Sequence, residues 1–142
     1  MTELCVAKHI NHVAIVVKDI QAALNMYQRI FGIGGDTKVE EIADQKVKAC
    51  LVTIGGSQIE FIQPTESGTG VAKFIDKRGE AVHHMCLEVE NLTERLDELK
   101  AGGVQLVDEE PRHGLSGEIA FIHPKSTGGI LIELVDQASA RR

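Results

Sequence analysis

The chain has 142 residues, of which 43% are hydrophobic and 25% charged, and a formal net charge of −6. That is enough for one ordinary soluble domain with its own core. It argues against a general nucleic-acid or membrane surface, which needs positive charge, and no apolar run reaches the length of a membrane span. The first residues show neither a signal-peptide nor a transit-peptide pattern. Cys5, Cys50 and Cys86 are an odd number of thiols without metal-type spacing, so a reducing, cytoplasmic setting is expected.

Ile10 to Val17 reads as a strand, with Val13, Ile15 and Val17 on one face and His12, Ala14 and Val16 on the other. Asp19 is placed to cap a helix whose apolar residues Ile20, Ala23, Leu24, Tyr27 and Phe31 recur at helical spacing, and Gly32 ends it. Two strands are predicted at about 47–54 and 58–63, joined at Gly55-Gly56. A polar loop and a short helix near 71–77 follow. The second half then repeats the plan. Met85, Leu87 and Val89 form an apolar strand face with His84 and Cys86 opposite. Asn91 and Glu94 have capping-box spacing before a helix carrying Leu92, Leu96 and Leu99, and Gly102-Gly103 stops it. Strands are predicted at about 105–107, 118–123 and 130–135.

The repeat carries matched chemistry. His84 lies 72 positions after His12, and Glu133, in Ile-Glu-Leu-Val, lies 73 positions after Glu60, in Ile-Glu-Phe-Ile. Strand parity turns each of the four away from its apolar neighbours. A lone strand histidine is commonly structural. A carboxylate among Ile and Leu is harder to dismiss, because burying it unpaired costs several kcal/mol. Two imidazoles and two carboxylates at matching repeat positions therefore predict a metal site formed by His12, Glu60, His84 and Glu133. A mixed nitrogen and oxygen donor set suits one divalent ion per chain, such as Co²⁺, Mn²⁺, Ni²⁺ or Zn²⁺. Such an ion polarises a carbonyl and stabilises an enolate, and Glu60 or Glu133 would supply the carboxylate base that this chemistry also requires.

Other candidates carry less. His83 shares the apolar-face parity and reads as structural, while His9 and His113 read as surface residues. His123 opens His-Pro-Lys-Ser-Thr-Gly-Gly, which is either a hairpin turn or an anion contact through Lys125, Ser126 and backbone amides. Cys86, on the histidine side of its strand, reads as an inert buried thiol. Asp108-Glu109-Glu110 reads as a solvated loop, and Arg112, Gly114 and Gly117 as either a mobile lid or an ordinary glycine-rich turn. No phosphate-loop or dinucleotide fingerprint is present.

The segments His9-Ile-Asn-His-Val-Ala-Ile-Val-Val, Val82-His-His-Met-Cys-Leu-Glu-Val and Phe121-Ile-His-Pro-Lys-Ser-Thr-Gly-Gly-Ile-Leu-Ile-Glu-Leu-Val resemble the vicinal oxygen chelate superfamily and, within it, the methylmalonyl-CoA epimerases. Asp108-Glu-Glu-Pro-Arg adds to the likeness. The resemblance spans nearly the whole chain. It implies an α+β fold of tandem βαβββ modules, about 8–65 and 80–137 of a single 1–142 domain, in a curved mixed sheet around a metal cavity with helices outside. It also implies the ligands His12, Glu60, His84 and Glu133, cobalt as the favoured ion, an acyl-CoA thioester substrate and a homodimer. The implied reaction is epimerisation at the α-carbon by a 1,1-proton shift, with Glu133 and Glu60 as the proton-transfer groups and Lys125 and Ser126 as substrate contacts. Some bacterial epimerases carry a second catalytic acid near the position of Ala49. Here Gln45–Val52 holds no acid, and Glu60 is the expected substitute. A glyoxalase I-like lyase is the alternative enzyme. Bacterial examples carry Arg where this chain has Val16. A metal-free small-molecule binding protein of the superfamily is the third reading, and such proteins typically lack the two carboxylates.

Overall fold

The computed structural model describes residues 3–142. The chain divides into two compact units. One runs to His12 and resumes at His84–Arg142; the other is Val13–His83. The strand β1 (His9–Val16) contributes to both, as does β5 (Ala81–Val89).

In the Val13–His83 unit, the order along the sheet is β2 (Glu40–Ile42), β3 (Val47–Ile54), β4 (Ser57–Pro64), β1. The β3–β4 hairpin is antiparallel, pairing Leu51 with Glu60 and Ala49 with Ile62. Its turn includes Gly55 at φ 56°, a left-handed conformation that a side chain would strain. The helix α1 (Ile20–Phe31) starts where Asp19 accepts from the backbone N–H of Gln21 at 3.0 Å and Ala22 at 3.1 Å. It ends at Gly32, which takes φ 70°. Ile20, Ala23 and Leu24 pack on Cys50, Val52 and Phe61. On the opposite face Ala14, Val47 and Ile62 form a second cluster. The helix α2 (Gly70–Arg78) is capped by the Thr69 hydroxyl.

In the other unit the order is β1, β5, β8 (Ile132–Asp136), β7 (Gly117–Ile122), β6 (Arg112–Gly114). Strands β5 and β8 are parallel and β8 and β7 antiparallel. The helix α3 (Leu92–Ala101) lays Leu92, Leu96 and Leu99 against Val89, Ala120, Ile122, Ile132 and Leu134. Each such leucine buried from water is worth about 1.5–3 kcal/mol. The predicted sidedness is observed here, because Met85 and Leu87 join this helix-facing cluster while Cys86 packs with Ile119 and Val135.

The fold is α+β, with the βαβββ order occurring twice: β1-α1-β2-β3-β4, then β5-α3-β6-β7-β8. Several local expectations need correction. Asn91 makes no side-chain cap and sits at φ 51°. The first N–H of α3, from Leu92, goes instead to Asp136 Oδ2 at 3.2 Å, so a distant strand replaces the local cap. The strand expected at 105–107 is reduced to a single Leu106–Ile122 bridge. Of the two readings of Arg112, Gly114 and Gly117, the turn is the one observed, since the segment forms the β6–β7 hairpin. The 108–110 loop is exposed at Glu109 and Glu110 as expected, but Asp108 is half-buried, accepting from the Phe121 backbone N–H at 2.8 Å and pairing with Arg112 at 3.1 Å. The short strand β2, two acids and Ile42, was not expected from the sequence.

Candidate active site

Four strands of the unit containing β5–β8 position the site. His12 comes from β1 and His84 from the adjacent β5. Strand β8 lies beside β5 in a register that opposes Cys86 and Glu133, and β7 opposes Phe121 to Glu133. Directly paired residues project to the same side of a sheet, so these side chains share one face. The ring of Phe121 meets His84 edge to face, with centroids 5.2 Å apart.

The polar atoms converge tightly. His12 Nε2 and His84 Nε2 are 3.3 Å apart. Glu133 Oε1 lies 3.1 Å from His12 Nε2 and 3.4 Å from His84 Nε2. All three residues are buried. Despite these approaches, Glu133 Oε1 has no hydrogen-bond partner. Burial alone would raise the Glu133 pKa, but the closeness of the two imidazoles outweighs it and holds the carboxyl well below the usual carboxylate range. The result is a buried anion edge facing two imidazole nitrogens. Such an edge is satisfied by a shared proton or by a cation. The donor set of two imidazoles and a carboxylate fits a divalent ion, so the residues present match the metal that the pattern implies. Cys86 adds a donor: one ligand atom each from His12, Cys86 and Glu133 lies within 4.8 Å of the others.

Behind His12 lies a polar chain that the sequence reading missed. Asn11 Oδ1 is 2.7 Å from His12 Nδ1. Asn11 Nδ2 donates to Glu88 Oε2 at 3.0 Å and to the Arg141 carbonyl at 3.0 Å. Glu88 in turn accepts from the Arg142 guanidinium, through Nε at 3.2 Å and through Nη2. Burial pushes the Glu88 carboxyl up, yet the hydrogen bonds from Arg142 and Asn11, with the charge of Arg142 and His9, bring it below its ordinary value. A signal for Glu88 existed. It shares the strand parity of His84 and Cys86, and a buried acid needs a partner.

Glu60 belongs to the other unit, on β4, where it is 7% exposed and opposes Leu51. Across the β2–β3 ladder the residue opposing Ala49 is Glu40. Glu40, Ala49, Ile62 and Glu60 therefore project to one side of that sheet. An acid does stand beside Ala49, but on the neighbouring strand. Lys125 and Ser126 lie on a 3-10 turn, Pro124–Ser126, capped by His123, whose Nδ1 accepts from the Lys125 backbone N–H at 3.1 Å. The Ser126 hydroxyl accepts from the Gln105 backbone N–H at 2.8 Å, while the Lys125 side chain is exposed. His83 meets the Phe74 ring edge to face with centroids 4.8 Å apart. His113 is exposed and pairs with Glu118 at 3.5 Å.

The family model described as glyoxalase/bleomycin resistance protein/dioxygenase superfamily matches residues 11–121. The chain belongs to this superfamily. An ethylmalonyl-CoA/methylmalonyl-CoA epimerase of Cereibacter sphaeroides is 34% identical over 128 residues, covering 88% of this chain and 95% of that protein. The crystal structure of methylmalonyl-CoA epimerase from Mycobacterium tuberculosis superposes with a TM-score of 0.86 and 34% identity, over 96% of this chain and 92% of that one. A Streptomyces coelicolor methylmalonyl-CoA epimerase variant in complex with 2-nitronate-propionyl-CoA matches with a TM-score of 0.86 and 28% identity, over 96% of this chain and all of that one. The fold is thus that of the superfamily, as the resemblance implied. Among the described residues no helix is long and apolar enough to cross a membrane.

Proposed function

We propose that this chain is a metal-dependent epimerase of methylmalonyl-CoA, interconverting its (R) and (S) forms by a 1,1-proton shift at C2. The observation that carries the reading is Glu133 Oε1, buried between two imidazole nitrogens with no hydrogen-bond partner. Proteins about one-third identical over most of the chain bear that activity in their names. His12, His84 and Glu133 would hold one divalent ion, cobalt being favoured, and Glu60 at the matching repeat position is the proposed fourth ligand. When bound, the ion would withdraw electron density from the thioester carbonyl and so acidify the C2–H.

The chain's own residues then move the proton. Inversion is simplest with a base on each face of the flattened carbon. Glu133, held ionised by its imidazole neighbours, takes the C2 proton on one face. Glu60, protonated at the start, returns a proton on the other. Each turnover leaves the two carboxyls with their protonation exchanged, so atoms and charge balance. The CoA moiety is proposed to extend toward the 3-10 turn, where Lys125 offers an exposed positive charge and Ser126 a polar edge. The functional molecule is proposed to be a single domain in a cytoplasmic homodimer, a setting consistent with the lack of a disulfide among the described residues.

The test is proton-to-deuterium exchange at C2 of methylmalonyl-CoA, followed by mass spectrometry, with Co²⁺-loaded protein beside a glutathione–methylglyoxal lyase assay. Exchange with epimerisation is expected. Turnover of the hemithioacetal without C2 exchange would move the chain to the lyases. Ethylmalonyl-CoA differs by one methylene, a discrimination worth about 1–3 kcal/mol in an apolar pocket, so it is expected to be a slower substrate and not a rejected one.

A further inference from the structure

We propose that Asn11 is a positioning residue: anchored by Glu88 and the Arg141 carbonyl, it fixes His12 as the tautomer protonated at Nδ1 and aims the Nε2 lone pair into the site. The inference rests on the reading of His12 as a metal ligand given above, and its first step needs only hydrogen bonds within one unit.

The argument is one of donors and acceptors. An amide side chain has one acceptor oxygen and one donor nitrogen, and which end points where follows from the neighbours. One end of Asn11 meets two groups, Glu88 Oε2 and the Arg141 carbonyl, each at 3.0 Å. The carbonyl can only accept, and Glu88, whose two oxygens accept from the Arg142 guanidinium, is a carboxylate that does likewise. The nitrogen must face them. The oxygen therefore faces His12 Nδ1 at 2.7 Å and cannot donate to it. His12 has to supply the proton at Nδ1, which leaves Nε2 bare in the neutral ring. That bare nitrogen is the atom 3.1 Å from Glu133 Oε1 and 3.3 Å from His84 Nε2.

Burial makes the device stiff. Asn11, His12 and Glu88 are each no more than 1% exposed, so water cannot substitute for a lost partner without rearrangement. Rotating the Asn11 amide by half a turn would set its oxygen against both acceptors and its nitrogen against the ring. Metal-ligating imidazoles gain orientation and basicity from the acceptor on their far nitrogen, and loss of that acceptor typically weakens metal binding about 10–100-fold. Arg142, which holds Glu88 through two nitrogens, keeps the carboxylate charged and in place. Asn11 is hydrogen-bonded to His12, and it is through that bond that it is proposed to act.

The experiment is long-range ¹H–¹⁵N correlation NMR of the metal-free full chain, at the alkaline plateau of the His12 titration, paired with Co²⁺ affinity measured by chelator competition. Wild-type His12, assigned by its loss in His12→Gln, is expected to show a protonated Nδ1 and a bare Nε2. Asn11→Leu is expected to show a tautomer mixture and Co²⁺ binding weaker by about 10–100-fold. The double variant Asn11→Asp with Glu88→Gln keeps an acceptor on His12 and sets an amide donor at position 88 against it, while one Asp oxygen then faces the Arg141 carbonyl, so it is expected to restore the tautomer and only part of the affinity. A wild-type ring protonated at Nε2 overturns the proposal, as does an Asn11→Leu protein with unchanged tautomer and affinity. Should Asn11→Leu not fold, the double variant decides: a mixed tautomer there overturns it. A wild type that fixes the Nδ1–H tautomer but binds no Co²⁺ sinks the metal reading and leaves the positioning role standing.

Discussion

Replacing Glu133 by Gln offers the sharpest quantitative test of the proposed site. Glu133 Oε1 sits 3.1 Å and 3.4 Å from the two imidazole nitrogens. Glu133→Gln keeps the side-chain volume and an oxygen but removes the charge. Ion binding to the folded state stabilises it by RT ln(1 + [L]/Kd), about 2.7 kcal/mol at one hundred times Kd. For a chain of this length each kcal/mol moves Tm by about 3–5 °C, so the wild type is expected to gain about 8–13 °C. Losing the anionic donor weakens binding at least as much as losing an outer-layer partner, about 10–100-fold. At the same free Co²⁺ the variant's gain then falls to about 0.4–1.4 kcal/mol, or about 1–7 °C. Thermal melts with and without Co²⁺ at fixed free ion measure both shifts, and comparing shifts within each protein removes any difference between the metal-free forms. An equal Co²⁺ shift in Glu133→Gln and wild type would refute the assignment of Glu133 as a ligand.

Acid stability should report on Glu88. Its folded pKa is depressed, so its contribution is present above the unfolded value of about 4.3 and is lost as pH falls through the lower folded one. Glu88→Gln is therefore expected to flatten the fall in urea midpoint below about pH 4, and an unchanged slope would remove Glu88 from the acid transition. Burial pushes the Cys50 thiol up to about 11, and Cys86 is fully buried. Native protein at pH 8 should thus expose only Cys5 to a thiol reagent, with all three reacting in denaturant; rapid native labelling of Cys50 would contradict its packing beneath α1. Lys125→Ala is expected to raise KM severalfold with kcat little changed, as for a contact equally strong in ground and transition states. Unchanged kinetics would take Lys125 out of the substrate site.

The proton-transfer pair is open to one further comparison. Glu60→Gln is expected to retain an oxygen ligand and to lose epimerisation while metal content persists. Should that variant epimerise normally, Glu40, which shares the Glu60 face of the sheet, is the next residue to test by the same assay.

Much of the architecture was legible because it depends on local periodicity. Alternation along His12–Val17 and His84–Val89 sorts residues between two faces with no knowledge of the fold, and Asp19, Gly32 and Gly55 act within a few residues of themselves. The failures were equally physical. The cap expected from Asn91 and Glu94 is a short-range device, and a carboxylate 44 residues from its partner, Asp136, supplied the interaction instead. Leu106 formed one bridge and no strand, and Glu40–Ile42, two acids and an isoleucine, became a strand where β3 offered an edge to pair with.

The sequence by itself determined the repeated plan and the parity that turns His12, His84 and Glu133 away from their apolar neighbours, because the pleat reverses side-chain direction at every residue. Only the tertiary structure decided distances. The parallel register of β5 on β8 sets Cys86 against Glu133 and brings a carboxylate oxygen between two imidazole nitrogens. The orientation of the Asn11 amide depends on Glu88, 77 positions away, and on a carbonyl 130 positions away. No local pattern encodes such pairings, since they arise when strand register and packing bring remote acceptors to one buried donor.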